Sequence, residues 1–248
     1  MAYRGYPRLI SPPFHCDHDL SHRNPRGYVL RRVFDVVCAV TGLALLAPAF
    51  AVIALAIKLD DGGPVMYSQY RVGKGLRRFR LFKFRSMFTD RAQGSLLTAP
   101  RDARVTRVGR ILRWYKLDEL PQLVNVLKGD MQLVGVRPQV ERFVNLFPRE
   151  YAELLRMPPG ITDPASLSFR HQELHFNGSS VEEMYIAKIL PTRLEIALHY
   201  ARTRTFFSDL GILFRTVLGL PCPHTAREGT RFDPAAQTLP NFISKNIS

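Results

Sequence analysis

The sequence predicts an α-rich α+β fold held at a membrane, with an N-terminal apolar membrane segment, helices that suit core packing or an in-plane membrane position, and a small extended region. Three observations carry that expectation. From Val33 to Ile57 the chain reads VFDVVCAVTGLALLAPAFAVIALAI, 25 residues with Asp35 as the single charge, long enough at about 1.5 Å per residue to cross a hydrocarbon core of about 30 Å. The stretch VMYSQYRVGKGLRRFRLFKFRSM reads as two extended pieces around a turn at Gly73 to Gly75. Beyond residue 105 apolar positions recur at helical spacing, with Pro and Gly punctuating them.

Composition bounds the alternatives. The chain has 248 residues, with 35 Lys plus Arg against 21 Asp plus Glu, a formal charge of +14 and a pI near 10.2. This length suits one domain with extended tails. At 46% hydrophobic and 23% charged, global disorder, a collagen-like repeat and a coiled-coil rod are excluded. The cation excess predicts an anionic partner: nucleic acid, an acidic membrane face or a phosphorylated small molecule. The three cysteines, Cys16, Cys38 and Cys222, are odd in number and form no CxxC pair, so neither a disulfide framework nor a zinc ribbon is expected, and a reducing compartment fits.

Residues 1–30 carry Arg4, Arg8, Arg23 and Arg26 and three histidines among four prolines; without apolar periodicity they read as a basic flexible arm. His15, Cys16, His18 and His22 have no matching second ligand pair nearby, so a solvated arm is the better reading than a zinc site. Residues 31–59 are the membrane segment. A cleavable signal is a poor reading, because the run ends in Lys58, Asp60 and Asp61 and not at a small-residue site. Pro48 lies beyond its middle and pushes Ala47 away from the α region, which predicts a break. Both flanks are basic, Arg31 and Arg32 before and Lys58 after, unlike the one-sided bias of a spanning helix. These features favour a hairpin entering and leaving one leaflet, with a spanning helix or a buried core helix as the alternatives. Asp35 is expected to pair with Arg31 or Arg32 at headgroup depth.

Residues 60–220 form the expected globular part. Thirteen Lys or Arg lie between Arg71 and Arg113, against Asp90 and Asp102 alone; this is where an anion binds, although a generic basic face against acidic lipid accounts for many of them. The glycines there do not have P-loop spacing. Helical patterns follow at about 106–115, 118–128 and 139–157, then a PGITDP turn, a helix from about Val181 broken at Pro191 and resuming to Arg202, and a last one over 206–220, which suits core packing or an in-plane membrane helix. The tail, 221–248, reads as irregular.

Asp118 and Glu119 open the pattern LDELPQLVNVLKG. A helix cap alone would account for an Asp followed by Glu and Pro. Alternatively, an ionised aspartate among arginines can attack phosphorus, with Glu119 assisting, and two adjacent acids in a basic setting suit Mg²⁺. Arg113 upstream and Arg137 in the Gly-Val-Arg-Pro turn carry planar forks that match phosphate oxygens.

Taken together, RRVFD opening an apolar run with a mid-run Pro, GPVMYSQYRVGKG, FRLFKFRSM, RVGRILRWYKLDELPQLVNVLKGDMQLVGVRP, PGIT and the ILPTRLEIALHYARTRTFFSDLGILFRTV ending resemble the bacterial sugar transferase family, the monotopic phosphoglycosyl transferases, from about Arg31 to Leu220. The resemblance implies transfer of a sugar 1-phosphate from a UDP-sugar to polyprenyl (undecaprenyl) phosphate, with release of UMP, at the cytoplasmic face of a bacterial inner membrane. It implies a catalytic dyad at Asp118 and Glu119, a covalent phospho-aspartate on Asp118, Mg²⁺ at these carboxylates, and phosphate contacts from Lys83, Arg113 and Arg137. Pro48 falls at the break of the family's re-entrant helix, and the extra N-terminal spanning helices of larger members are not expected. The implied role is the first membrane step of a surface glycan pathway, exopolysaccharide or lipopolysaccharide. The expected partners are the UDP-sugar, polyprenyl phosphate and membrane lipids, not nucleic acid, with a homo-oligomer left open.

Two departures stand out: the commoner GPRP is GVRP here, and a Thr-Gly after PGI is replaced by Thr162 and Asp163. His171 and His175, four apart, are better read as surface or packing residues than as metal ligands. Two other classes of function compete: a non-catalytic basic membrane-surface scaffold in which Asp118 only caps its helix, and a nucleic-acid-binding protein, for which no zinc-finger, RNP or basic-zipper string is present.

Overall fold

The structure is a computed structural model that describes residues 25–88, 102–169, 182 and 185–222. The arm with His15, Cys16, His18 and His22, the pair His171 and His175, and the tail beyond residue 222 lie outside the described residues.

Helix α1 (Pro25–Asp61) is 37 residues long, about 55 Å at 1.5 Å per residue, and is the one helix among the described residues long and apolar enough to cross a membrane. It remains helical through Pro48, so the expected break does not occur as an interruption of secondary structure. Pro removes one backbone hydrogen bond and bends a helix, but the Leu- and Ala-rich sequence on both sides carries the helix on.

Both halves of α1 dock on the same body. In the first half, the Arg32 guanidinium donates to the carbonyls of Val126 (2.6 Å) and Leu127 (2.9 Å), at a helix end where the last carbonyls run short of intrahelical donors. Asp35 does not form the expected headgroup-level ion pair. It is buried and accepts the Leu133 N–H at 3.3 Å, while Arg31 pairs with Asp209 at 3.1 Å. In the second half, Phe50 stacks edge-on against Phe84 at 5.2 Å, and Asp60 accepts the Val108 N–H at 3.1 Å in the first turn of the next helix. Around the apex, Ala44, Leu45, Ala47, Pro48 and Ala49 are exposed.

Strands β1 (Met66–Val72) and β2 (Arg78–Phe84) form an antiparallel hairpin in which Tyr67 opposes Lys83. Its turn holds Gly75 at φ +63°, where glycine carries no steric penalty. Helix α2 (Arg107–Trp114) is capped by Thr106, whose hydroxyl accepts the Gly109 N–H; a short 3₁₀ turn (Leu117–Glu119) then leads to α3 (Gln122–Lys128).

Two three-residue strands, β3 (Gln132–Val134) and β4 (Gly160–Thr162), pair in parallel, an element absent from the sequence expectation. Their junction is tight: a Cβ on Gly160 would lie 2.0 Å from the Gly135 nitrogen. The helix expected over 139–157 is two, α4 (Glu141–Val144) and α5 (Pro148–Leu154), because the residue before a proline disfavours the α region and Phe147 turns out to φ −133°. Helix α6 (Pro164–Ser168) follows β4. At Pro191 the helix does not break: a π-helical turn (Tyr185–Ile189) passes directly into α7 (Leu190–Thr203), with Pro191 in the first turn, where no partner for its missing N–H is needed. Helix α8 (Phe206–Leu218) starts on a Thr205 capping box and ends at Gly219.

Three apolar groups hold these parts together. One gathers Val72, Phe143, Tyr151, Leu154, Leu190 and Leu194; a second puts Ala39 of α1 against Val126, Met131, Leu133 and Leu167; a third joins Ile53 and Ile57 of α1 to Phe84 and Leu112. Each large aliphatic buried this way contributes about 1.5–3 kcal/mol. α1 is therefore part of the folded unit at both of its ends.

Candidate active site

The 3₁₀ turn that carries Asp118 and Glu119 is set between α2 and α3 by an unusual residue. Lys116 sits in the left-handed region at φ +58°, sparsely populated by residues with a Cβ, and so reverses the chain immediately after Arg113, Trp114 and Tyr115. The conformation presents Asp118 inward, 6% exposed.

From sequence, a helix cap is a sufficient account of Asp118. The geometry does not bear it out: the turn has no side-chain cap, α3 is preceded by Pro121 with no side-chain cap either, and Asp118 Oδ1 is buried without a hydrogen-bond partner. A buried unpaired carboxylate oxygen is costly. Nothing in the described body requires it there.

Its surroundings are cationic. Burial, together with the adjacent Glu119 charge, raises the Asp118 pKa above the usual range, and Lys83, Arg113 and Lys116 pull against that rise. Glu119 goes the other way: burial opposes its charge, but Arg137, with Lys116 and Lys83 behind it, outweighs burial and holds it down to about 2. Arg137 grips both Glu119 oxygens, Nη1 donating to Oε2 at 3.0 Å and Nη2 donating to Oε1. Lys83, on β2, has its Nζ 5.1 Å from the centre of the Tyr67 ring, and burial lowers its pKa to about 8 although Asp118 supports its charge. The structure therefore brings all five expected residues, Lys83, Arg113, Asp118, Glu119 and Arg137, into one electrostatic cluster.

Other members escaped the sequence reading. Arg71, near the end of β1, is acted on by the charges of Arg137 and Glu119; Lys116 acts on both carboxylates; Gln122, one turn beyond Asp118, is buried with its Oε1 unpartnered. Asp163, one of the two departures from the family pattern, caps α6 through the Ser166 N–H (2.6 Å) and accepts the Arg137 N–H at 2.9 Å. Only the clustering of cations in sequence hinted at Arg71, and nothing local marked Asp163 as a neighbour of the dyad, whereas Lys116 and Gln122 flank it in the same string.

For Mg²⁺ the donor set fits in part. No group of three or more His, Cys, Asp and Glu is placed to hold a metal among the described residues; Mg²⁺ is commonly held by one or two carboxylates plus substrate phosphates and water. Asp118 Oδ1 is a free hard oxygen of that kind, whereas both Glu119 oxygens are occupied by Arg137.

Residues 26–220 match the family described as bacterial sugar transferase. The chain belongs to the bacterial sugar transferase family. Curated relatives of this sugar transferase include a UDP-N-acetylgalactosamine-undecaprenyl-phosphate N-acetylgalactosaminephosphotransferase of Aeromonas hydrophila, 37% identical over 80% of this chain and 47% of the relative. An undecaprenyl-phosphate glucose phosphotransferase of Komagataeibacter xylinus is 40% identical over 75% of this chain and 35% of the relative. The exopolysaccharide production protein ExoY of Rhizobium meliloti is 32% identical over 85% of this chain and 93% of the relative. The sugar transferase thus spans half or less of the length of the first two relatives and nearly all of the third.

Proposed function

We propose that the chain transfers a sugar 1-phosphate from a UDP-sugar to polyprenyl phosphate, undecaprenyl phosphate in the bacterial setting, through a covalent intermediate on Asp118. The observation that carries this reading is the Asp118 carboxylate, buried, with one oxygen free of any hydrogen bond, set among Lys83, Arg113 and Lys116. The names of the relatives, which act on undecaprenyl phosphate, give the acceptor class.

An Asp118 oxygen attacks the sugar-bearing phosphorus of the nucleotide sugar. The bond from that phosphorus to the bridging oxygen breaks, and its electron pair leaves with UMP. The phosphate oxygen of the polyprenyl phosphate then attacks the same phosphorus and expels the Asp118 carboxylate, giving polyprenyl-diphosphate-sugar. Both steps need in-line positioning and charge neutralisation more than proton transfer. Lys83 and Arg113, which face Asp118, hold the reacting phosphate, and Glu119 keeps Arg137 in place beside it. Mg²⁺ held at Asp118 and the diphosphate would supply further neutralisation of the developing charge.

At the whole-molecule level, α1 acts as a re-entrant anchor. Its two ends dock on one body through Arg32 and Asp60 while its middle is exposed, and the exposed apolar residues Trp114 on α2 and Phe207, Phe214 and Val217 on α8 extend the membrane-facing surface. The catalytic part then lies on the cytoplasmic face of the inner membrane, where nucleotide sugars are made. The scaffold reading loses its support, since Asp118 caps nothing.

The decisive experiment measures UMP release from a panel of UDP-sugars by nanodisc-held protein with Mg²⁺, with and without undecaprenyl phosphate. One sugar should give up to one equivalent of UMP without acceptor and turnover with it. UMP that requires both substrates would overturn the covalent order, and folded protein releasing none with any sugar would overturn the reading.

A further inference from the structure

The cluster around the dyad holds five cations, Arg71, Lys83, Arg113, Lys116 and Arg137, against the two carboxylates. Arg71 is a member to which the reaction as described gives no role. It lies near the end of β1, whose last residue, Val72, donates its N–H to Gln139 O at 3.0 Å, so the strand end is tied to the segment that carries Arg137. The Arg71 side chain makes one hydrogen bond among the described residues, from Nη2 to the neutral Gln69 Oε1 at 2.9 Å. Its Nε–H is sealed from solvent and has no partner.

Such a placement is unfavourable in the absence of ligand. Burial and the like charge of Arg137 both disfavour the guanidinium and lower its pKa to about 10, which still leaves it charged at neutral pH. The one carboxylate close enough to act on it, Glu119, already has both oxygens taken by Arg137. A desolvated cation with an unsatisfied donor is stabilised most by an anion with several acceptor oxygens. The chemistry of the site supplies one class of anion that fits, a diphosphate.

We infer that Arg71 is a ligand of the substrate diphosphate, its free Nε–H donating to a phosphate oxygen. The inference rests on the proposed phosphoglycosyl transfer for its substrate, and on the orphaned guanidinium for its site. A guanidinium there would neutralise charge that builds on the diphosphate as the bridging bond breaks, a stabilisation that grows toward the transition state.

The test uses the full chain in nanodiscs, as wild type, Arg71→Gln and Arg71→Lys. With the UDP-sugar that the wild type accepts, Arg71→Gln should lower kcat/KM for UMP release by about 100-fold, in the range seen when one such donor is removed. Arg71→Lys should recover only part of it, because an ammonium lacks the planar fork. A second arm does not depend on turnover: inorganic pyrophosphate with Mg²⁺ should raise the melting temperature of the wild type and fail to raise that of Arg71→Gln, while uridine should act equally on both. Equal pyrophosphate protection of wild type and Arg71→Gln would overturn the inference, as would no protection of the wild type. A wild type that binds pyrophosphate but releases no UMP from any sugar would overturn the proposed reaction and leave the Arg71 site standing. Should Arg71→Gln fold poorly, the comparison rests on Arg71→Lys, which keeps the charge and the stem; a full wild-type response there, in both arms, would overturn the claim for the Nε–H.

Discussion

Two adjacent carboxylates in the same turn are pushed in opposite directions by what touches them. Arg137 closes on Glu119 with two parallel hydrogen bonds and keeps it ionised, while Asp118 is buried without a bond to Oδ1 and its pKa rises. The sign of the linkage follows. An acid whose folded pKa is raised contributes stability that is full below its unfolded pKa of about 4 and is lost as pH rises through the folded value, so that ionised at neutral pH it costs stability. Asp118→Asn in Mg²⁺-free buffer at pH 7 should therefore melt no lower than the wild type, while UMP release falls at least about 1000-fold for want of a nucleophile. A variant that keeps turnover would return Asp118 to a structural role, checked by the same UMP assay and a thermal melt. Arg137→Lys replaces a bidentate fork by a point charge. It should reduce kcat/KM by about 10- to 100-fold and also release Glu119, whose stabilising contribution, present above its unfolded pKa of about 4.3 and lost as pH falls toward 2, should shrink in an acid titration of stability.

The elements that hold the dyad are fastened by a few buried polar side chains. Asn125 of α3 is 0% exposed and accepts the Phe82 N–H at 3.0 Å while donating to Arg80 O at 2.7 Å and Asp130 Oδ2 at 3.2 Å, so it pins strand β2, with Lys83 on it, to the helix behind the dyad. Asn125→Ala leaves buried backbone groups of β2 unpaired and should cost about 2–4 kcal/mol, measured by denaturant unfolding in detergent; a loss under about 0.5 kcal/mol, the size of an ordinary surface change, would show that the hairpin is held elsewhere. What is legible in the sequence at this scale is what is local. The apolar run of α1, the Gly73 to Gly75 hairpin turn and the periodicity of α2 and α8 are written in neighbouring residues. Strands β3 and β4 are not legible, because three-residue strands show no alternation and their pairing is long-range. The periodicity over 139–157 suggests too long a helix because it runs on across Pro148, which in the fold starts α5. The same reason limits the site: the motif strings mark Lys83, Arg113, Asp118, Glu119 and Arg137, whereas Arg71 and Asp163 join them only through the tertiary fold.

For the molecule as a whole, the question is which side of a membrane each end of α1 occupies. A helix of 37 residues could cross a core of about 30 Å, but its first half is bonded through Arg32 to the carbonyls closing α3, and its last turn through Asp60 to the N–H groups opening α2. If α1 spanned, one of these contacts would break, removing either the Arg32 bonds to the α3 carbonyls or the Asp60 bond to the Val108 N–H and splitting Ala39 or Ile57 from its apolar group. Bending at Pro48 into one leaflet keeps all of them and gives the largely exposed stretch 44–49 an apolar surrounding. In a variant lacking the native cysteines, Gly27→Cys and Pro64→Cys should therefore both react with a membrane-impermeant maleimide from the cytoplasmic side, in inverted vesicles, and neither in intact spheroplasts. Labelling of the two positions from opposite sides would establish a spanning helix and show that the docking of one end of α1 is lost in the membrane.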